Sequence, residues 1–302
     1  MLDILTKAGC YIAIILLGVV LRAIGFFKEE DFSVLSKIVI RITLPAVIIS
    51  GAAGRQIHIG LLTLSLLGMG GGILYMIAGY LMNARKGKSW QAFGLLNLSG
   101  YNIGNFALPF TQSFLGATGV LATSLFDIGN AFICLGGAYG VASAIKAGNG
   151  FDWKRVVKAL SRSVPFLAYV ITASMNLLNI PIPGFVASCA GTIAQANAFL
   201  AMLMIGVGFK LDLKREQLGY IAKFLLVRYS IAAVLALAYY FLLPFDLEMR
   251  QTLVILAFAP IGSAVPGFTA ELGEDTGLSC SINSVAILIS IVVIIGLLLV
   301  ML

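Results

Sequence analysis

Long apolar runs separated by short polar or charged connections make up almost the whole chain. A helix of roughly 20 apolar residues is long enough to cross the hydrocarbon core of a bilayer. The pattern therefore predicts an all-α integral membrane protein with ten transmembrane helices. These predicted spans 1 to 10 lie at roughly 8–26, 34–53, 59–83, 89–115, 118–146, 162–179, 184–209, 218–243, 250–272 and 277–302.

Spans 4 and 9 carry polar and helix-breaking residues at their centres. Proline lacks a backbone donor and clashes with the preceding turn, so a helix kinks or breaks there. Backbone groups freed by a break must be satisfied by protein or by a wet cavity, because lipid offers no partner. We therefore expect two broken helices beside a cavity at membrane depth. The residues concerned are Asn102, Gly104, Asn105 and Pro109 in span 4, and Pro260, Gly262, Ser263 and Pro266 in span 9.

The polar connection after span 5 divides the chain into two halves of five spans. We expect a first five-helix repeat at 1–147, a cytoplasmic linker at 148–161 and a second repeat at 162–302. An odd number of spans in each half inserts the second half upside down. The spacing between Pro109 and Pro266 also carries spans 1, 2 and 3 onto spans 6, 7 and 8. Inverted repeats with paired broken helices are typical of secondary transporters.

Composition and charge support a membrane protein with a defined orientation. The chain has 60% hydrophobic and 11% charged residues, whereas soluble domains carry about 25% charged residues. Of its 20 Lys and Arg residues, all but Lys7, Arg55 and Arg250 are assigned to the connections after spans 1, 3, 5 and 7. Basic connections stay in the cytoplasm, so both termini are predicted to lie outside. The net charge of +7 is therefore attributed to topology and not to a nucleic-acid partner.

The broken helices 4 and 9 are predicted to cross near the middle of the membrane and to form a substrate site. Half-helices that begin at such a crossing present partial positive charge and favour anionic groups. Asparagine amides donate and accept hydrogen bonds, and glycines let the backbone approach a ligand closely. The alternative is that these residues only manage a kink or a close helix contact. The candidate substrate-binding residues are Asn102, Gly104, Asn105, Pro109, Pro260, Gly262, Ser263 and Pro266, together with Thr43 and Pro45 of span 2.

Asp127 is an acidic residue deep within the apolar run of span 5. A carboxylate inside the membrane is costly and is a functional hypothesis by default. It either carries a proton or helps to bind a cation, or it is a structural acid bonded to its neighbours. With Asn130, and with Asn283 and Ser284 at the corresponding place in the second half, it forms the candidate site for a coupling ion. We expect no cofactor beyond such proton or sodium coupling.

Signals for a metal site or an enzyme are weak. The four cysteines lie in apolar runs without metal-like spacing, and His58 has no cluster of further ligands beside it in the sequence. An intramembrane aspartyl protease needs two deep aspartates, whereas Asp127 has no deep partner. The sequence also lacks the glycine-rich loop that binds the phosphates of ATP. We therefore expect a protein that is not an enzyme.

Several short motifs follow one another along nearly the full length of the chain. They are Leu44–Ala46, Asn102–Pro109, Phe126–Asp127 with Asn130, Ile205–Gly206, Lys210–Leu211, Ala259–Glu271 and Ser281–Ser290. In this order they resemble the auxin efflux carrier family of membrane transporters. One departure is that span 7 has Leu200, Ala201 and Met202 where the family usually carries a proline.

This resemblance implies an elevator-type carrier in the plasma membrane, the inner membrane of a bacterium, and a homodimer. Spans 1, 2, 6 and 7 would form a scaffold domain, and spans 3–5 and 8–10 a transport domain that moves against it. The implied substrates are small organic anions such as malate, malonate or the auxin indole-3-acetate. Two alternatives stay open. One is a sodium-coupled symporter of the bile-acid type, which shares the crossed helices, and the other is a membrane sensor that binds a ligand without moving it.

Overall fold

A computed structural model describes residues 2–28, 30–55, 58–148, 150–210 and 213–302 of the chain. The described residues form helices, turns and connections, and none of them forms a strand. The all-helical expectation is confirmed for these ranges. Leu211, in one of the family-like motifs, and Asn149, in the predicted linker, lie outside them.

The described part of the first half contains the helices α1 to α8. Both α3 and α6 begin next to a proline, Pro45 and Pro109 respectively, where the missing N–H of proline costs nothing. π-Helical segments at Val39–Thr43, Ile103–Ala107 and Ile133–Gly137 lead into α3, α6 and α8. The bounds are α1 Leu2–Ala23, α2 Asp31–Ile38, α3 Leu44–Ala52, α4 Thr63–Met82, α5 Lys88–Leu98, α6 Leu108–Phe114, α7 Gly116–Phe132 and α8 Ala138–Ala147.

The described part of the second half contains the helices α9 to α16. The predicted linker is partly helical, because α9 begins within it at Trp153. The bounds are α9 Trp153–Arg162, α10 Val164–Leu177, α11 Gly184–Ala194, α12 Asn197–Gly208, α13 Leu218–Leu242, α14 Leu247–Ala257, α15 Val265–Glu271 and α16 Thr276–Met301.

Within the described ranges, seven helical stretches are long and apolar enough to cross a membrane, and some of them combine two of the helices named above. They are Leu2–Ala23, Asp31–Ala52, Ile59–Met82, Gly116–Ala147, Gly184–Gly208, Arg215–Leu242 and Thr276–Met301. The bent pair α9 and α10 raises this number to eight if the pair is one span. Predicted spans 4 and 9 appear instead as pairs of shorter helices, α5 with α6 and α14 with α15. A multi-pass membrane protein is therefore supported, whereas the ten-span count and the inverted repeat stay predictions.

Small residues let the helices approach closely where their axes cross. A Cβ atom at Gly68 of α4 would clash with the carbonyl of Phe126 in α7, and one at Gly129 of α7 would clash with the carbonyl of Ser65. In the same way, a Cβ at Gly206 of α12 would meet the backbone of α1. Backbone-to-backbone contact of this kind is how helices associate in membranes. It fixes α7, which carries Asp127, firmly against α4.

The connecting residues 83–89, 146–148, 150–155, 215–217 and 271–275 gather at one end of the molecule, which we call the basic face. The Lys146 ammonium lies 2.6 Å from the Glu274 carboxylate. Arg155 forms an ion pair with Glu271, and the Gln217 amide donates to Asp275 over 3.0 Å. The acidic connection after span 9 thus lies beside basic connections at the same end of the molecule.

Span 7 is interrupted although it lacks the proline that its relatives usually carry. Helix α11 ends at Ala194 and α12 begins at Asn197, with a turn between them. The Asn197 side chain is fully buried, and its Oδ1 accepts a hydrogen bond from Thr43 Oγ1 over 2.9 Å. A buried hydroxyl–amide contact therefore links the irregular segments of spans 2 and 7.

Candidate functional site

The two interrupted stretches meet and bond to each other. Helix α5 ends at Leu98 and α14 ends at Ala257. After each of these ends, an irregular segment leads to the next helix. The Asn102 backbone N–H donates to the Pro260 carbonyl over 2.8 Å. Three residues further along each segment, Asn105 Nδ2 donates to Ser263 Oγ over 3.1 Å. We call this meeting point of residues 99–105 and 258–264 the crossing.

Arg228 satisfies the carbonyl ends of both interrupted helices. The last carbonyls of a helix have no partner within it and carry partial negative charge. The Arg228 guanidinium is 1% exposed and donates to the carbonyls of Leu98 at 2.7 Å, Gly100 at 3.0 Å and Ala259 at 2.9 Å. It also lies over the Tyr75 ring, 4.6 Å from its centroid. One buried cation therefore stabilises the side of the crossing where α5 and α14 end.

Arg228 was expected in the basic connection after span 7. The structure corrects this, because Arg228 lies inside α13 and is buried against the crossing. A signal was available in its position within predicted span 8, since an arginine inside an apolar run is expensive in a membrane unless it has partners. The partners themselves, three backbone carbonyls, leave no trace in the sequence.

A cavity of about 160 Å³ lies beside the crossing and brings most of the predicted site residues together. Its walls also include Tyr169 and Phe166 of α10 and Leu44 of α3. The carboxylate, amide and hydroxyl groups converge from α7, from both irregular segments and from α10. The predicted residues in its wall are Asn102, Gly104, Asn105, Asp127, Asn130, Gly262 and Ser263.

Asp127 bonds to both sides of this cavity. Its Oδ1 accepts from Asn130 Nδ2 over 2.7 Å, and its Oδ2 accepts from the Tyr169 hydroxyl over 2.8 Å. Asn130 in turn holds both the N–H and the carbonyl of Tyr101, each at 3.0 Å. Among the described residues Asp127 forms no ion pair. Its carboxylate therefore positions the backbone just before Asn102 and also faces the cavity.

A second cavity, of about 190 Å³, lies on another side of the same crossing. Asn102 and Ser263 line both cavities, and Lys210 lines the second. The structure thus separates the candidate residues for a coupling ion, with Asp127 and Asn130 at the first cavity. The other predicted residues in the wall of the second cavity are Pro266, Asn283 and Ser284.

Two amide oxygens near the crossing are buried without a hydrogen-bond donor among the described residues. They are Oδ1 of Asn105 and Oδ1 of Asn283. Leaving a buried acceptor without a donor costs about 1–3 kcal/mol. Asn105 is 8% exposed, lines the first cavity and already uses its Nδ2 on Ser263. Its remaining oxygen is available to a donor that enters the cavity, such as a ligand hydroxyl or acid group.

Four of the predicted residues are not in the walls of these cavities. Thr43 faces Asn197, and the neighbouring Pro45 is buried at the start of α3. The Pro109 carbonyl accepts from the Tyr11 hydroxyl over 3.0 Å, which joins α6 to α1. The Pro260 carbonyl accepts from Asn102, as described above. In this structure these four shape the backbone around the site.

Comparison with known proteins finds a similarity to membrane transport proteins. Residues 10–146 match the model of a family described as membrane transport protein. The chain is also similar to an uncharacterized transporter from Methanothermobacter thermautotrophicus, with 26% identity over 211 residues, which are 67% of this chain and 66% of the relative. The aligned part thus spans slightly less than two thirds of the relative. These matches confirm the resemblance drawn from the motifs: over its first half the chain is similar to the auxin efflux carrier family of membrane transport proteins.

Proposed function

We propose that the protein is a secondary transporter that carries small organic anions across the plasma membrane, with its binding site at the crossing. The observation that carries this proposal is the pair of interrupted helices joined at Asn102 and Pro260 beside a polar cavity. Paired discontinuous helices with polar residues at their breaks form the substrate sites of many carriers. The Asn102 amide and the second N–H of Asn105 Nδ2 supply donors for a carboxylate, and Asn105 Oδ1 accepts from a protonated group.

The size of the cavity supports a substrate with few atoms. The cavity has a volume of about 160 Å³. Pockets that hold drug-sized molecules measure roughly 300–1,000 Å³. Malonate and malate are therefore better candidates than indole-3-acetate, and a bile acid is the poorest fit. We place the substrate class at small mono- and dicarboxylates.

The position of Asp127 supports coupling to protons. An ionised carboxylate in the cavity wall repels an anionic substrate, and a proton on that carboxylate removes the repulsion. A sodium ion would instead need several oxygen ligands around it, whereas both Asp127 oxygens already accept hydrogen bonds from Asn130 and Tyr169. We propose that Asp127 takes up a proton when the anion binds and releases it when the anion leaves.

The contacts between the two proposed domains are compatible with an elevator motion. Tyr11 of the scaffold bonds to Pro109 of the transport domain, and Tyr169 of the scaffold bonds to Asp127. Gly104 packs against the Leu44 side chain, with no Cβ to obstruct sliding. Separable contacts of this kind are what a moving domain needs.

A thermal-shift series on the purified protein tests the site and the substrate class together. A ligand that binds the native state raises its apparent stability. Malonate and malate should raise the melting temperature more than indole-3-acetate, and cholate should have the smallest effect. The Asn105→Ala variant should lose the response. Asn176→Ala is the matched control, because Asn176 is a half-buried amide on α10 that bonds to Thr172 and Ala52, away from the crossing.

Three outcomes of this series would count against the proposal. A response to malonate that persists in Asn105→Ala would remove the site from the crossing. A response to cholate that exceeds the response to malonate would contradict the proposed substrate class. If no carboxylate shifts the melting temperature at any pH between about 5 and 8, the carrier proposal loses its main support.

A further inference from the structure

Helix α9 is a short amphipathic helix held against the basic face. Val156 and Leu160, one turn apart, are 0% and 8% exposed and form its inner side. The Asp152 side chain caps its first turn by accepting from the Arg155 N–H over 3.1 Å. The Arg155 guanidinium lies 3.9 Å from the centroid of the Tyr139 ring and pairs with Glu271. The helix is therefore anchored on the protein, and its outer side has a fixed orientation.

The orientation of α9 relative to its neighbour places it near the plane of the membrane. Helix α10, which follows directly after Ser163, is bent from α9 by 77°. Only α9 and α10 together are long and apolar enough to form a membrane-spanning segment. Since α10 lies among the spanning helices and transmembrane helices tilt by about 20° on average, α9 runs almost parallel to the bilayer surface. This is the geometry of an interfacial helix.

The outer side of α9 combines an apolar edge with a basic edge. Trp153 and Val157, one turn apart, are each 59% exposed. Lys154, Lys158 and Arg162 follow at intervals of four residues and are all exposed. In the described part of the chain, none of these three cations forms an ion pair. No acidic residue lies within α9, so the basic edge has no competing charge of its own.

We propose that this outer side of α9 binds anionic phospholipids of the bilayer. Trp153 and Val157 insert at the boundary between headgroups and acyl chains, where tryptophan is favoured. Lys154, Lys158 and Arg162 contact the phosphate groups. Each basic residue near an anionic surface contributes about 1 kcal/mol, which corresponds to a roughly fivefold enrichment of anionic lipid. The occupant is a membrane lipid because the apolar and basic edges lie side by side, as headgroup and acyl chain do.

The bound lipid would lie close to the part of the molecule that carries the site. The Trp153 ring is 5.8 Å from the Phe132 ring at the end of α7, measured between centroids. Val156 packs at the kink of Gly136, where a Cβ atom would lie 3.5 Å from it. Helix α7 also carries Asp127. The lipid-binding edge therefore rests directly on the helix that lines the first cavity.

The two tryptophans of the chain make a direct test possible, since Trp90→Phe leaves Trp153 as the single tryptophan, which is excited selectively at wavelengths where tyrosine does not absorb. This variant is reconstituted in vesicles of equal parts phosphatidylcholine and phosphatidylglycerol. In one sample only the phosphatidylglycerol chains are brominated, and in the other only the phosphatidylcholine chains are. Bromine quenches nearby tryptophan, so the first sample should show at least about twofold stronger quenching than the second.

Two charge variants in the same background separate α9 from general electrostatics. Lys154→Gln, Lys158→Gln and Arg162→Gln together should make the quenching equal in the two samples. Lys28→Gln, Lys37→Gln and Arg41→Gln remove the same charge elsewhere and should leave the difference intact. The first triple variant keeps every buried residue of α9, so the protein should fold normally.

Three results would overturn the proposal. Equal quenching of Trp153 by both lipids would show that α9 does not select anionic headgroups. Loss of the difference in the control triple would assign the selection to overall charge. Absence of quenching by either lipid would mean that protein, such as a second copy of this chain, covers the outer side of α9.

Discussion

Arg228 is the residue on which the geometry of the crossing depends most. It donates to three carbonyls that belong to two different interrupted helices, and it is almost completely buried. Leaving a buried carbonyl without a donor costs about 1–3 kcal/mol. A side chain that satisfies three of them at once therefore contributes a large share of a marginal folding free energy.

We predict that Arg228→Ala lowers the melting temperature of the purified protein by at least about 5 °C, since three carbonyls lose their donor. Arg228→Lys should fall between this variant and the wild type, because it keeps the charge but cannot reach all three acceptors. Lys223→Ala, an exposed cation on the same helix, is the control and should change little. Equal melting temperatures for Arg228→Ala and Lys223→Ala would refute the role of Arg228.

Asp127 has two roles that a single substitution separates. Its hydrogen bonds to Asn130 and Tyr169 are structural, and its proton is the proposed coupling ion. Asp127→Asn keeps the shape of the side chain but cannot exchange a proton. We predict that this variant still exchanges substrate for substrate in proteoliposomes but no longer accumulates it when a pH gradient is imposed.

Tyr169→Phe provides the control for Asp127, because it removes one hydrogen bond and keeps the carboxylate. Accumulation driven by the pH gradient should persist in it, with an altered rate. If Asp127→Asn accumulates substrate as well as wild type does, Asp127 is a structural acid and the coupling lies elsewhere.

The packing of α4 against α7 depends on backbone contact, and two glycines of α4 test this directly. Gly68 lies against the Phe126 carbonyl, whereas a Cβ at Gly70 would meet nothing within 4 Å. Gly68→Ala forces backbone apart, and overpacking of this kind costs about 1–3 kcal/mol. Gly70→Ala should be neutral or slightly stabilising, because alanine favours helix. Thermal unfolding of the two variants checks the difference, and equal stabilities would contradict the contact.

The interruptions of spans 4 and 9 were predictable from sequence, because Pro109, Pro260 and Pro266 break helices by a local effect. Features that depend on distant contacts were not predictable. The turn before Asn197 has no proline, and its buried partner Thr43 lies far away in sequence. The role of Arg228 was missed because counting basic residues by connection ignores how deep each one lies.

The residues of the candidate site were likewise predictable only in part. Polar residues inside apolar runs pointed to Asn102, Asn105 and Asp127, and all three line one cavity. The division of the remaining candidates was hidden, since Asn283 lies at the second cavity and only the three-dimensional arrangement separates it from Asp127.

At the scale of the whole molecule, both cavities extend from the crossing towards the end that carries the basic face. The first cavity extends to Ser163 and Pro165 at the start of α10, which follows the basic connection. The second extends to Lys210, beyond the end of α12. A larger hollow of about 1100 Å³ is lined by described residues of the segments 53–55, 58–63 and 243–249, and by none of the predicted site residues. If the protein is the proposed carrier, this arrangement corresponds to a state whose site opens towards the basic face.

A cross-link between the two proposed domains should stop transport. A Cβ on Gly104 would lie 2.7 Å from a methyl group of Leu44, so cysteines at these positions come within reach of a disulfide. In a background with Cys10, Cys134, Cys189 and Cys280 replaced by serine, oxidation of Leu44→Cys/Gly104→Cys should abolish flux, and a reductant should restore it.

The matched cross-link joins Thr43→Cys to Asn197→Cys, positions that lie within the proposed scaffold and contact each other. Oxidation of this pair should leave flux close to that of the reduced protein. If both cross-links stop transport, or neither does, the proposed division into scaffold and transport domain is wrong.

The central claim is that a small carboxylate binds at the crossing and is carried across the membrane. Counterflow of labelled malonate in proteoliposomes tests it most directly, with wild type, Asn105→Ala and the control Asn176→Ala measured at equal amounts of folded protein. We predict counterflow in wild type and Asn176→Ala, and a loss of at least about tenfold in Asn105→Ala, since one buried hydrogen bond to a charged ligand contributes about 1.5–3 kcal/mol. Undiminished counterflow in Asn105→Ala would contradict the account.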